Sequence, residues 1–387
     1  MPGLSLFFLR AFMTLSLAAI GGMVPQLGSR LEALGLTGGH LGLVLALLPL
    51  GRLLSAPVWG WLADRFRLGG ALLQLGATLA LGGSVLVWTA TGPASAGLGL
   101  LLFAVGRTPL GPIVDVFIVE ALARAGLDAR AYGRTRLWGS VGFLGAAWLS
   151  GLWADQGRDP MVVAVVLSCV CLGMTLRFPQ RGGGRPAPIA PALLALARQP
   201  GFWALLAFGA CQALTVNVYD IFMSVHVHAL GLPPSVTSYA VMVGVTVEIA
   251  VMANGEWILA RLGRRGALLF AAVSALPRWL LTAWLVDPFW LVAVQVLHGS
   301  SFAIFWIAGV DEMNRRSAGS NVAASAQSLW ATSTYGVGAL FGAAIAGLLR
   351  EKLGTPAIFE GCAVVSCFAV VFALRAAPAS PTGAVRA

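Results

Sequence analysis

The side chains able to do chemistry in this chain are charged and polar residues set inside apolar sequence. Asp115 and Glu120 precede a short basic turn, Arg124 to Arg130, and Arg134 and Arg136 follow it inside the next apolar run. A charge at membrane depth costs about 2.5–3.5 kcal/mol on insertion scales, so such groups pair with one another or line a polar path. Asp115 and Arg136, on consecutive segments, read either as a solute-binding pair or as an ion pair that stabilises a bundle. Arg107 lies two turns before Asp115 and could meet an anion. Glu248 has apolar neighbours (Val245, Val247, Ile249, Val251) and no basic residue within a turn. Burying a carboxylate without a cation is expensive, and a proton removes that expense. Glu248 therefore reads as a proton carrier, with Arg278, beside Pro277, or His298 facing it from another segment. Asn217, Asp220 and Ser224 stand at i, i+3 and i+7, one helical face, and read as the lining of a cavity. Ser328, Thr332 and Tyr335 make a similar stripe. Arg10 and Arg52 read as helix contacts or as side chains reaching for the interface. His226 and His228 are two apart and do not share a helical face, so they make a poor metal site. No nucleophile cluster and no His-Glu-x-x-His is present, so catalytic residues, a metal and cofactors are not expected.

These residues need elements that hold them. Of 387 residues, 58% are hydrophobic and 10% charged, with a mean hydropathy of +0.85. A soluble domain of that composition could not cover its surface with polar groups. A β-barrel needs alternating strands of about ten residues, and the apolar runs here are longer and do not alternate. The chain reads as an all-α polytopic membrane protein. The net charge of +10 is almost wholly arginine, since Lys352 is the sole lysine. It sits in short loops and sets topology; no nucleic-acid partner is implied. The five cysteines fall in apolar stretches and read as buried, inert thiols. Arg10 interrupts the first apolar run and no small-residue cleavage site closes it, so that run reads as a retained helix and not a signal peptide.

A membrane helix needs about 20 apolar residues. Charged and Gly/Pro-rich breaks leave twelve such spans: 4–27, 39–63, 69–91, 95–122, 133–154, 160–178, 201–229, 235–260, 266–286, 289–311, 323–349 and 356–375. The longest break, Pro179 to Pro200, is rich in glycine and proline and reads as a linker. The expected organisation is a six-helix bundle over 1–178, a cytoplasmic linker over 179–200, a second six-helix bundle over 201–377 and a short tail over 378–387. With both termini inside, seventeen arginines face inward. Four basic residues (Arg30, Arg158, Arg350, Lys352) face outward and four arginines (Arg10, Arg52, Arg107, Arg278) lie at membrane depth. Gly60–Leu73 and Gly255–Leu269 repeat one another: glycine, an apolar turn, alanine, arginines, then Ala-Leu-Leu opening a new helix. Duplicated halves around a midplane site are a transporter architecture.

Gly60-Trp61-Leu62-Ala63-Asp64-Arg65 resembles the loop motif of the major facilitator superfamily, although Arg67 stands where glycine is common. The resemblance, with twelve helices and a central linker, covers the whole chain. It implies that Gly60, Asp64 and Arg65 form a cytoplasmic latch on one conformation. Tyr132–Ser140 is similar to the start of the fifth helix in the group joining lactose permease-like symporters with 3-phenylpropionate-type transporters, and Leu297-His298-Gly299 to that group's tenth helix. The resemblance implies a substrate-binding role for Arg136 with Asp115 as partner, and proton coupling through Glu248, Arg278 and His298. Ser301 stands where the sugar symporters place the coupling glutamate, which favours the phenylpropionate-like branch.

The expected protein is a monomeric, multi-pass transporter of the cell's inner membrane that couples protons to uptake of a small organic solute. An aromatic-carboxylate-like anion is favoured over a sugar or nucleoside. The expected substrate contacts are Asp115, Arg136, Arg107, Asn217 and Asp220. The alternative is a proton-driven efflux antiporter for drugs or metabolites. A receptor would need a signalling domain or a longer tail after Arg375, and an intramembrane enzyme would need a clustered nucleophile or metal set.

Overall fold

The structure, a computed structural model, describes residues 4–66, 69–127, 129–180, 190–318 and 323–376, with the side chains of 64–66, 129–131, 133, 190–193, 323–325 and 328 left out. Everything regular among the described residues is helical. The spans are α1 (Leu6–Ala33), α2 (Gly38–Phe66), α3 (Gly69–Trp88), α4 (Pro93–Arg124), α5 (Ala129–Asp155) and α6 (Met161–Thr175). After a short connecting helix, Ala190–Ala197, come α7 (Phe202–Ala229), α8 (Ser235–Ala253), α9 (Gly255–Trp284), α10 (Pro288–Ser317), α11 (Leu329–Leu353) and α12 (Pro356–Ala376).

Eleven of the twelve are long and apolar enough to cross a membrane. The exception, α6, has 15 helical residues, about 22 Å at 1.5 Å per residue, against a hydrocarbon core of about 30 Å. The expected break after the eighth span, 261–265, is present at Gly263, and an earlier one precedes it. Helix α8 stops at Ala253, Asn254 turns the chain (φ −107°, ψ 17°), and a helix resumes at once. The second break is Gly263 (φ 63°, ψ 165°), a left-handed backbone that glycine adopts without steric cost. Helix α4 is interrupted at Thr108-Pro109, because proline removes a helical donor and crowds the preceding turn. Cys169 and Cys367 lie exposed on their helices, so the expectation of five buried thiols holds for Cys171 and Cys362 only; Cys211 is intermediate. An apolar helix face turned to lipid gives a thiol no reason to be inside.

Packing repeats between the halves. In the first, α1 packs on α5 and α6, α4 on α2 and α3, and α3 on α6; in the second, α7 packs on α11 and α12, α10 on α8 and α9, and α9 on α12. Each contact maps onto its counterpart when six is added to the helix number. Between halves, α2 meets α11, α5 meets α8, and α1 meets α7. The α1–α5 and α7–α11 contacts are close because glycines face them. A β-carbon on Gly142 would overlap the Thr14 carbonyl, and one on Gly338 the Ala210 carbonyl. Helices α10 and α11 each contain a π-helical turn, Gly299–Ala303 and Thr332–Gly338. Such turns are frequent at functional sites.

Candidate functional site

A cavity of about 120 Å³ lies where the two halves meet. Its apolar wall is made by Ile20 and Val24 of α1, Phe143 of α5, and Ile221 of α7; Pro25 and Pro49 also line it, in the interiors of α1 and α2. Proline inside a helix releases a backbone carbonyl and bends the axis, which opens space beside it. The polar groups are Arg52 of α2, Asn217 and Asp220 of α7, and Tyr335 of α11. Tyr335 sits within the π turn of its helix. Asn217 donates one amide N–H to the Ala213 carbonyl at 2.7 Å and keeps its second N–H and its acceptor oxygen. Asp220 is within electrostatic reach of Arg52, Arg278 and Glu248, and Tyr335 of Glu248, Asp220, Arg52 and Arg136.

A second cluster lies beside the cavity. His298 Nε2 and Glu248 Oε2 are 3.3 Å apart, with side-chain exposures of 7% and 20%. The His298 ring stacks on Phe302 at 5.1 Å. Arg278 is wholly buried. Its Nε and Nη2 donate to Gln295 Oε1, each at 3.1 Å, and Nη1 donates to Ser301 Oγ at 3.1 Å. It also lies over the rings of Trp279 and Tyr219, at 4.1 and 4.6 Å. A buried guanidinium is thus held by neutral acceptors and aromatic faces, with no carboxylate in direct contact among the described residues. Gln295 is itself fixed by donating to Thr282 Oγ1 at 3.1 Å.

The remaining candidate residues fall elsewhere. Arg136 Nη1 donates to Asp115 Oδ2 at 3.4 Å and to the Tyr132 hydroxyl at 3.1 Å, with half of its side chain exposed. Arg107 is buried and donates to Ser16 Oγ at 2.8 Å. None of Asp115, Arg136 and Arg107 lines the cavity. Gly60, Asp64 and Arg65 lie in the last turns of α2, and the side chains of Asp64 and Arg65 lie outside the described ones. In the echo of that motif, Arg264 pairs with Asp311 of α10 and Glu256 is exposed. Ser224, at the far end of the polar stripe, accepts from the Ser29 N–H at 3.2 Å. Ser328 is among the undescribed side chains. Two polar residues that sequence reasoning does not assign to the site are Arg52, whose leucine-rich surroundings suggest a helix contact, and Gln295, whose partner lies on another helix.

Hydrogen bonds between the halves gather at one end. Gln26 Nε2 donates to the Pro234 carbonyl (3.1 Å) and Ser238 Oγ (3.3 Å), and Ser238 Oγ donates to the Ala147 carbonyl (2.6 Å). The Ser235 N–H donates to Asp155 Oδ1 (2.9 Å) and the Gly39 N–H to Glu351 Oε2 (2.8 Å). Arg350 pairs with Glu32. The opposite end, which carries Asp64, Arg136 and Asp311, has no such bond between halves among the described residues. The cavity is therefore sealed on one side.

The chain belongs to the MFS_1 like family, whose profile matches residues 6–360. It is 29% identical over 335 residues to the probable 3-phenylpropionic acid transporter of Escherichia coli K12, covering 84% of this chain and 86% of that one. It is 27% identical over 380 residues to the maltose permease of Geobacillus stearothermophilus, covering 90% and 89%. Among solved structures, that of the nucleoside transporter NupG superposes with a TM-score of 0.83 at 18% identity, covering 95% of this chain and 97% of the other, a likeness of fold. At this level the chain is a multi-pass membrane protein of a transporter family, with permeases of small solutes as relatives.

Proposed function

We propose that the protein is a proton-coupled symporter of a small organic anion, an aromatic carboxylate before a sugar or nucleoside. It acts in the inner membrane as a monomer, with both termini in the cytoplasm. Bundles 1–178 and 201–377, joined by the linker 179–200, rock about the cavity and expose it to one side at a time. The observation that carries this reading is the cavity itself. It lies between matching sets of helices, is closed at one end by bonds between the halves, and is lined by Arg52, Asn217, Asp220 and Tyr335. The arginine bias makes the sealed end the outer one. Arg136 with Asp115 meets the solute on the open side, and Asn217 and Asp220 contact it within. Glu248 and His298 carry the proton. Glu248 and Asp220 are within electrostatic reach, so a proton on one lowers the cost of the charge on the other, and the substrate site and proton site are energetically linked. Asp64 and Arg65 latch the inner face. The name of the phenylpropionic acid relative supports an aromatic acid as cargo.

The test is uptake by purified protein in sealed vesicles, acid outside, screened with 3-phenylpropionate, maltose and uridine. Concentrative uptake of the acid that collapses with the proton gradient is expected. Accumulation only when the gradient is reversed assigns the protein to the efflux class, and transport of the neutral solutes alone removes the anion.

A further inference from the structure

We propose that Arg52 is the residue that reads the substrate's anionic group, and that this group is a carboxylate on an apolar body. The inference rests on the transport reading above and names the chemistry of its site. Five arginines lie deep in the spans or near them, and four are committed. Arg10 Nε donates to Thr135 Oγ1 at 3.5 Å, Arg107 to Ser16, Arg136 to Asp115 and Tyr132, and Arg278 to Gln295 and Ser301. Arg52 lines the cavity and makes no hydrogen bond or ion pair within the described residues. Its half-buried guanidinium keeps five N–H donors in a planar fork that matches a carboxylate's two oxygens. Facing the cavity and committed to no protein acceptor among the described residues, these donors are placed to meet an acceptor that arrives from outside.

Asp220 does not fill that role. It feels Arg52 electrostatically, yet both residues line the same cavity and no ion pair joins them. The gap between them is where a ligand sits. The other walls define the rest of the ligand. Ile20, Val24, Phe143 and Ile221 suit an apolar body, and a volume of about 120 Å³ is on the scale of the ~150 Å³ engineered cavities that accept benzene. Tyr335 can donate a second hydrogen bond to the carboxylate from α11. The bound anion then bridges α2 of the first half and α11 of the second, and its binding favours the state in which those helices are close.

The experiment measures affinity by competition against 3-phenylpropionate uptake in vesicles of the full-length protein, using the acid and its neutral amide. The wild type should prefer the acid by at least about tenfold, the value of a charge-assisted pair. Arg52→Gln should bring the acid down to the affinity of the amide while leaving the amide unchanged, and Arg52→Lys should fall between. A merely structural role would weaken both ligands together. If Arg52→Gln keeps the preference for the acid while Arg136→Gln loses it, the anion is read at Arg136 and the proposal is overturned. Should Arg52→Gln not fold, Arg52→Lys decides: a selective fall for the acid supports the assignment, and equal affinities to wild type overturn it. If the wild type takes up neither ligand but carries maltose or uridine, the anion reading itself has failed, which is a separate result.

Discussion

The functional residues divide by how local their signal is. Asn217 and Asp220 are legible as one face because three residues on a helix return to the same side, and the cavity lies against that face. Glu248 is legible as an acid without a local cation. Which group faces it is not, because the sequence offers both Arg278 and His298, and only packing decides. His298 lies 3.3 Å away, and Arg278 turns to Gln295 and Ser301. Arg52 is illegible from sequence, since a cation among leucines looks the same whether it snorkels or lines a cavity. At this scale Glu248→Gln should abolish gradient-driven accumulation while leaving exchange of substrate between equal pools, because exchange need not release the proton. The measurement is accumulation against counterflow in the same vesicles. Concentrative, gradient-dependent uptake persisting in the variant moves the proton to Asp220 or Asp115.

At the level of elements, span existence follows from apolar length, and twelve apolar helices stand close to the twelve expected runs. Boundaries follow less well, because a helix end is a backbone event. Gly263 falls in the expected break, whereas Asn254 turns the chain inside a run that composition reads as continuous. The π turns are equally silent in sequence. One end of α8 carries a testable device. Pro234, which precedes the helix, offers no side-chain cap, and Asp155 of the other half supplies it by accepting from the Ser235 N–H. An N-cap is worth about 0.5–2 kcal/mol, so Asp155→Ala should loosen the sealed end by roughly twofold to thirtyfold in population. A cysteine at Val24, on the cavity wall, reports this through its labelling rate with an impermeant maleimide added on the sealed side, with the five native thiols as the blank. The rate should rise in Asp155→Ala and stay near wild type in Asp155→Asn, which keeps the Oδ1 acceptor. An unchanged rate in both would falsify the capping role.

For the whole molecule, the repeat Gly60–Leu73 and Gly255–Leu269 signals duplicated halves, and the helix contacts repeat with the same six-helix offset. The sequence does not reveal which end the halves close, since the sealing bonds use backbone groups and short polar side chains such as Gln26 and Ser238. The charges that the structure gathers at the cavity have an electrical consequence. Arg52 stands opposite Asp220, and Arg278 has Asp220 and, through it, Glu248 as its nearby acids. Two resident cations and two resident anions cancel. A cargo of one proton and one monocarboxylate also carries no net charge. Neither the loaded nor the empty protein then moves charge through the membrane field, where each uncompensated charge would gain about 2.3 kcal/mol per 100 mV. Uptake should therefore respond to pH and ignore voltage. Imposing a potassium diffusion potential with valinomycin at constant pH should leave the initial rate unchanged, whereas a several-fold change would mean that a second proton or another ion travels with the anion.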